Sequence, residues 1–259
     1  VLFAAVDLGT NTFHVLLARV ENDKIVEVFR KRKFVYLLQK DKSVISKLSR
    51  NRAYRAVLYI REIFNKYNVE SVYITGTEAF RSAKNGSKLK SDLQKIFRYE
   101  INIISGSEEA RLTFIGVSHS LRPVATPYTI IDIGGGSIEF INVNEKGSLE
   151  ISDSLPIGIS VIAAKCNYID KLNDKELSLI EQEFSSYTAV LGKYRNKHII
   201  FNAGSFEVLN RLGFSSSFNA FCTYISIKPL LEVCQSLIES DLNTRKKMEW
   251  LPATREKNM

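Results

Sequence analysis

The chain has 259 residues, 45% apolar and 25% charged, with a net charge of +8 and a pI near 9.3. That balance is ordinary for a folded globular protein, and the length favours two domains of similar size. No apolar run approaches the roughly 18 residues a membrane span needs, and the basic excess favours anionic partners without choosing among nucleic acid, polyphosphate and nucleotide.

The opening V-L-F-A-A-V has the pattern of a strand and not of a charged-then-apolar leader. Phe3 to Val6, Phe13 to Val20 and Ile25 to Phe34 form a predicted antiparallel meander, with alternation clearest in the second strand. After a short polar connection at Leu38 to Ser43, Ser46 to Tyr67 reads as an amphipathic helix. Its inner face carries Ala53, Ala56, Val57, Ile60 and Ile63. Val69 to Thr75 is a predicted strand that runs through Thr75-Gly76-Thr77 into a helix bearing Arg81. Asn85-Gly86 breaks that helix, Lys88 to Arg98 resumes it, and Glu100 to Ile104 is a further strand. Ser105 to Arg111 then opens a helix to about Ser120, with Ser107 as the expected cap and acidic residues in the first turn. Leu121 to Pro127 marks the crossing into the second half, so the expected domains are 1–118 and 119–259.

The second half opens as the first does. Predicted strands cover Thr129 to Asp132, Ser137 to Val143 and Leu149 to Ser154, and helices follow at Ile159 to Cys166 and Asp174 to Arg195. His198 to Ala203 is a strand, and Pro229 to Ser240 and Asn243 to Trp250 close the chain as helices. Strands alternating with helices in both halves give an α/β protein, each half a sheet with helices on it. Cys166, Cys222 and Cys234 are odd in number and widely spaced, as expected of reduced residues in a cytoplasmic protein.

The two openings are copies of one unit. Sliding A-A-V-D-L-G-T-N-T-F-H by 125 positions places Asp7 on Asp132, Gly9 on Gly134, Thr12 on Ser137 and Phe13 on Ile138. Each copy continues through a second strand and a polar turn into a third strand, as expected of two related half-structures. In each, a carboxylate ends the first strand and small residues form the loop after it. Gly134, Gly135 and Gly136 add no side chain to a core, and suit a place where backbone N–H groups must come close to a phosphate oxygen. Two carboxylates with two such loops would serve a divalent cation and a phosphate chain.

Five motifs, in order D-L-G-T-N-T-F-H, T-G-T-E-A-F-R, I-S-G-S-E-E-A-R, I-D-I-G-G-G-S-I-E and L-P-I-G, resemble those of the Ppx/GppA family of exopolyphosphatases and guanosine pentaphosphate phosphatases. The resemblance implies two actin-like (ribonuclease H-like) domains of mixed sheets flanked by helices, with the active site in the interdomain cleft. It implies hydrolysis of the terminal phosphoanhydride of polyphosphate or of guanosine pentaphosphate. Mg²⁺ (or Mn²⁺) would be held by Asp7 and Asp132 with help from Glu139. Glu109 is the implied general base, with Glu108 beside it as a natural control, and Arg81 the implied fork on the phosphate being cleaved. Thr10, Asn11, Thr12, Gly134, Gly135, Gly136 and Ser137 would cradle the terminal phosphates. A homodimer without DNA or membrane partners is expected on the same ground.

Gly204-Ser205 falls where ATP-using relatives of the superfamily contact adenosine, though a helix-opening turn explains it equally. Lys84, Lys88, Lys90 and Arg30 to Lys33 could extend a basic track, or form a solvated face. His14, His119 and His198 do not cluster at metal spacing and receive no catalytic role. Against the family pattern, the Gly-containing loop after the third strand is short near Leu37-Leu38. The sequence also reaches Met259 where relatives carry a further helix and strand, and it shows no appended helical or HD-type domain, so processivity on long chains is expected to be reduced. Three other readings share these residues: a guanosine pentaphosphatase, an ATP-dependent kinase or chaperone ATPase, and a non-catalytic alarmone or polyphosphate sensor. The second needs a developed adenosine pocket, and the third predicts tight binding without turnover.

Overall fold

The computed structural model describes residues 1–38, 43–120, 125–166, 171–202, 204, 215–217 and 223–251. The residues gather in two compact units: Val1–Glu109 with Gly134–Ile138 and Leu155–Val161, and Ala110–Ile133 with Glu139–Ser154 and Ile162–Met259.

In the first unit, β1 (Leu2–Leu8), β2 (Thr12–Glu21) and β3 (Lys24–Phe34) form the expected antiparallel meander. β4 (Ser71–Gly76) lies parallel to β1, and β5, only Asn102–Ile103, lies parallel to β4, which gives the order β3-β2-β1-β4-β5. Alternation sorts the faces. Ala4, Val6 and Leu8 of β1 and Phe13, Val15 and Leu17 of β2 point into the core. The other wall of that core is α1 (Lys47–Tyr67) and α3 (Gly86–Phe97), which bury Ala53, Val57, Ile60 and Phe64, and Leu89, Leu93 and Phe97. Ser46 caps α1 by accepting from the Ser49 amide, and Asn68 ends it in the left-handed region at φ 51°. The short α2 (Glu78–Ser82) follows β4 directly and carries Arg81.

α4 (Gly106–Ser120) starts at Ser105, not at the expected Ser107: the Ser105 hydroxyl accepts from the Glu108 amide at 3.1 Å, and Ser107 turns its own hydroxyl to Ser105. In the second unit, β6 (Tyr128–Ile133), β7 (Ile138–Val143), β8 (Leu149–Leu155) and β9 (His198–Asn202) take the order β8-β7-β6-β9, with β6 and β9 parallel. This repeats the β3-β2-β1-β4 order of the first sheet, so the duplication seen in the sequence is also a duplication of topology. Among the described residues the core here comprises Ala110, Tyr128, Ile130, Ile141 and Val143, with Phe114, Val117, Leu149 and Ile200 packed on it.

α5 is Ile159–Cys166. The single helix expected over Asp174 to Arg195 is two, α6 (Asp174–Ser185) and α7 (Thr188–Leu191). A capping box of Asn173 and Glu176 starts α6. At the break, the hydroxyls of Ser185, Ser186 and Thr188 bond back to the carbonyls of Gln182, Glu183 and Ser185, offering the backbone an alternative to continuing. The short strands β10 (Ser215–Ser217) and β11 (Thr223–Ile225) pair antiparallel, followed by α8 (Ile227–Glu239) and α9 (Leu242–Lys246). Among the described residues no helix is long and apolar enough to cross a membrane.

Candidate active site

The loops after β1 and after β6 are built alike. The Gly9 amide donates to the Thr12 carbonyl at 3.0 Å, and 125 residues later the Gly134 amide donates to the Ser137 carbonyl at 3.0 Å. A Cβ on either glycine would stand 3.0 Å from that same carbonyl, so both turns are tight enough to favour glycine. The segments after the third strands hold the loops in place. The carbonyl of Asn11 accepts from the Val35 amide and that of Thr10 from the Leu37 amide, at 2.8 and 2.7 Å. In the second copy the carbonyl of Gly136 accepts from Gly158 and that of Gly135 from Ser160, at 3.1 and 2.9 Å.

Both loops belong to the first unit, where they touch. A Cβ on Gly135 would lie 2.5 Å from the Asn11 side chain, and one on Gly136 would lie 2.5 Å from Thr10 Oγ1. The Ser160 hydroxyl donates to Asn11 Oδ1 at 2.6 Å, which fixes the amide against the glycine loop. The expected cradle residues Thr10, Asn11, Gly135 and Gly136 are thus brought together, with Thr12, Gly134 and Ser137 closing the two turns. Thr10 is 4% exposed, and its hydroxyl has no hydrogen-bond partner. A buried hydroxyl left so costs about 1–3 kcal/mol, unless a ligand oxygen completes it.

Arg81 and Glu109 also meet in this unit. Arg81 Nη1 lies 3.0 Å from Glu109 Oε2 and donates to the Ile104 carbonyl at 2.7 Å. The opposite edge of the guanidinium, Nε and Nη2, donates to Glu78 Oε2 at 3.1 and 2.9 Å. All three side chains are about four-fifths buried. In the sequence, Glu78 is marked only by its place three residues before Arg81 on a short helix. Of the basic-track residues, Arg30 pairs with Glu27, and the Lys33 ammonium stands 3.6 Å over the Tyr59 ring.

The second unit holds the other acids. Asp132 ends β6 and accepts at Oδ2 from Thr113 of α4 at 3.1 Å and from Asn202 of β9 at 3.0 Å. Asn202 is its parallel partner across the sheet. Neither donor is legible in the sequence, because both reach Asp132 only through the tertiary fold. Glu139 on β7 is 1% exposed and accepts from the Ser154 hydroxyl at 2.8 Å. Burial, then the nearby Glu139 carboxylate, pushes the Asp132 carboxyl up to about 6 from 3.8, against the lowering effect of its two hydrogen bonds.

Asp7 occupies the matching position in the first unit, exposed at the end of β1 with His14 opposite on β2 and Thr75 on β4. His14 Nε2 in turn lies 2.8 Å from Thr12 Oγ1. Asp132 and Glu139, two nearby acids on neighbouring strands, form a donor set that a hard divalent cation fits. Mg²⁺ commonly takes one or two carboxylates and fills its remaining positions with water and phosphate. Among the described residues no group of three or more His, Cys, Asp or Glu stands at metal-holding spacing. Ser205, the other half of the adenosine-position pair, lies outside the described residues.

Comparison with known proteins agrees with this architecture. A relative from Haemophilus influenzae, named provisionally as an exopolyphosphatase, is 35% identical over 140 residues, which cover 53% of this chain and 43% of the relative. The guanosine-5'-triphosphate,3'-diphosphate pyrophosphatase of Aliivibrio fischeri is 30% identical over 159 residues, 61% of this chain and 32% of that protein. The chain therefore matches less than half the length of these relatives. In fold, it superposes on the crystal structure of an exopolyphosphatase from Cytophaga hutchinsonii with a TM-score of 0.88 at 23% identity, covering 100% of this chain and 86% of that one. An Aquifex aeolicus Ppx/GppA enzyme gives a TM-score of 0.75 at 19% identity, over 99% and 87% of the two chains. The Ppx/GppA phosphatase family model matches residues 16–258, and with the paired loops and motifs in their expected order this chain belongs to that family.

Proposed function

We propose that the protein is a Mg²⁺-dependent phosphoanhydride hydrolase that removes the terminal phosphate of inorganic polyphosphate and releases orthophosphate. The observation that carries the reading is the buried, unpartnered Thr10 hydroxyl set against Gly136 between two glycine-bearing loops. An oxygen-rich anion satisfies that hydroxyl and the neighbouring backbone amides together. Glu109 accepts the proton of the attacking water, and Arg81 with the loops Thr10–Thr12 and Gly134–Ser137 offsets the charge that develops on the phosphate oxygens. Asp132 and Glu139 would hold the cation, with Asp132 oriented by Thr113 and Asn202 and Glu139 by Ser154, and Asp7 would be the matching acid of the first copy. When bound, Mg²⁺ supplies positive charge to the phosphate oxygens.

A second substrate, guanosine pentaphosphate, is favoured by the Aliivibrio fischeri relative, whose name gives that nucleotide's 5'-triphosphate, 3'-diphosphate pattern. The same groups would act on its terminal phosphate. The test is phosphate release from long-chain polyphosphate and from guanosine pentaphosphate, each with Mg²⁺ and with chelator, using Glu109→Gln as the blank. Mg²⁺-dependent release from polyphosphate, reduced about 10²- to 10⁴-fold in the variant while binding persists, is the expected result. Binding without turnover in the wild type would make the protein a sensor instead.

A further inference from the structure

Arg81 stands between two carboxylates, and they hold it unequally. Glu78 takes its Nε–Nη2 edge with one oxygen, while Glu109 takes a single bond from Nη1, which also serves the Ile104 carbonyl. Glu78 is itself held in place, since its Cβ and Cγ would stand 3.0 and 2.8 Å from a Cβ on Gly136. The glycine loop therefore leaves Glu78 room to lie flat against it. A guanidinium whose Nε–Nη2 edge is released prefers the two-bond fork with a nearby carboxylate. For Arg81 that carboxylate is Glu109, the group assigned to accept the water's proton.

Resting on the hydrolase reading above, we propose that Glu78 is a positioning residue for the reaction. It occupies the forking edge of Arg81, confines the guanidinium to one bond with Glu109, and so keeps Glu109 able to take a proton. Glu78 does not touch the reacting atoms. Its negative charge beside the loop opposes anionic substrate, so its role is visible in turnover and not in affinity.

The test is Glu78→Gln, nearly the same shape without the charge, measured alone and in an Arg81→Ala background with the more active of the two substrates. The expected result is a kcat lower by about tenfold or more, part of the 10²–10⁴ that a placed general base supplies. KM should be unchanged or lower, and thermal melting unchanged. In the Arg81→Ala background the same substitution should change kcat less than about twofold, because there is no guanidinium left to confine. A kcat within about twofold of wild type, or an equal loss in both backgrounds, would overturn the proposal while leaving the hydrolase reading intact. A wild type that releases phosphate from neither substrate would instead remove the hydrolase reading, and this role with it.

Discussion

The two copies of the hairpin share a backbone and differ in what faces the carboxylate at the end of the first strand. In the first copy Asp7 lies opposite His14 across β1 and β2. The residue 125 positions after His14 is Glu139, so in the second copy the acid is answered by another acid. The first arrangement sets a base opposite the acid. The second sets two acids together, and burial first, then the Glu139 charge, hold the Asp132 carboxyl up to about 6. The surroundings differ in the same sense. Residues 1–109 carry 20 Lys and Arg against 12 Asp and Glu, a net +8, while residues 110–259 carry 16 of each. The whole basic excess thus sits in the first unit, whose added segments 134–138 and 155–161, the second loop among them, carry no charge. The duplicated frame thus carries its basic excess in one unit and a pair of mutually repelling acids in the other.

The sharpest way to break this contrast is Asp132→Asn. Well below pH 3.8 the wild-type carboxyl is protonated whether folded or unfolded and costs nothing. As pH rises, the unfolded chain ionises first, and stability is lost up to about pH 6 and stays lost above it. The cation-free variant should therefore melt like wild type at about pH 3 and be more stable at about pH 8, by about 1–2 kcal/mol after allowance for partial solvent screening. Phosphate release should fall at least about 100-fold. Denaturant melts at both pH values, beside an activity assay, check the pair; an Asn variant less stable than wild type at pH 8 would mean that the acids are not in conflict.

Gly135→Ala comes next. Its Cβ would meet Asn11 at 2.5 Å, and Asn11 is tied to Ser160 and cannot swing away without losing that bond. The loops must part, so substrate KM should rise about tenfold with little change in melting temperature. A normal KM would show that the loops do not act as one cradle. His14→Glu is a smaller perturbation that rebuilds the second copy's acid pair in the first. Asp7 is exposed, so the cost at pH 8 should be only about 0.5–1 kcal/mol. Thermal melts at pH 8 read it directly.

Much of this was legible in the sequence because it rests on local pattern. Alternation in β1 and β2, the helical stripe of α1 and the glycines of both loops are each set by residues adjacent or a few positions apart. The duplication was legible because Asp7, Gly9 and Thr12 recur at one offset as Asp132, Gly134 and Ser137. What escaped depends on distant partners or on competition between near-equal choices. Thr113 and Asn202 acquire a role only when α4 and β9 are set beside β6. Glu78 reads as an ordinary helix acid until Arg81 is seen to face Glu109 as well. At the start of α4, three hydroxyl or glycine positions in a row could each begin the helix, and Ser105 prevails through its bond to the Glu108 amide. The break after α6 turns on serine hydroxyls that satisfy carbonyls a helix would otherwise use.

The smallest effect expected is a control on the glycine argument. Gly116 lies inside α4, and a Cβ there meets nothing within 4 Å, unlike Gly9, Gly134, Gly135 and Gly136. Nothing about its surroundings requires glycine, so its freedom is only an entropic cost to the helix. Gly116→Ala should stabilise the protein by about 0.5–1 kcal/mol and leave KM and kcat unchanged. It also stands one turn beyond Thr113, so stiffening α4 there leaves the bond to Asp132 in place. If this alanine instead lowered activity as Gly135→Ala is expected to, the loss would come from any added methyl group on the chain and not from crowding of Asn11, and the cradle would lose its support.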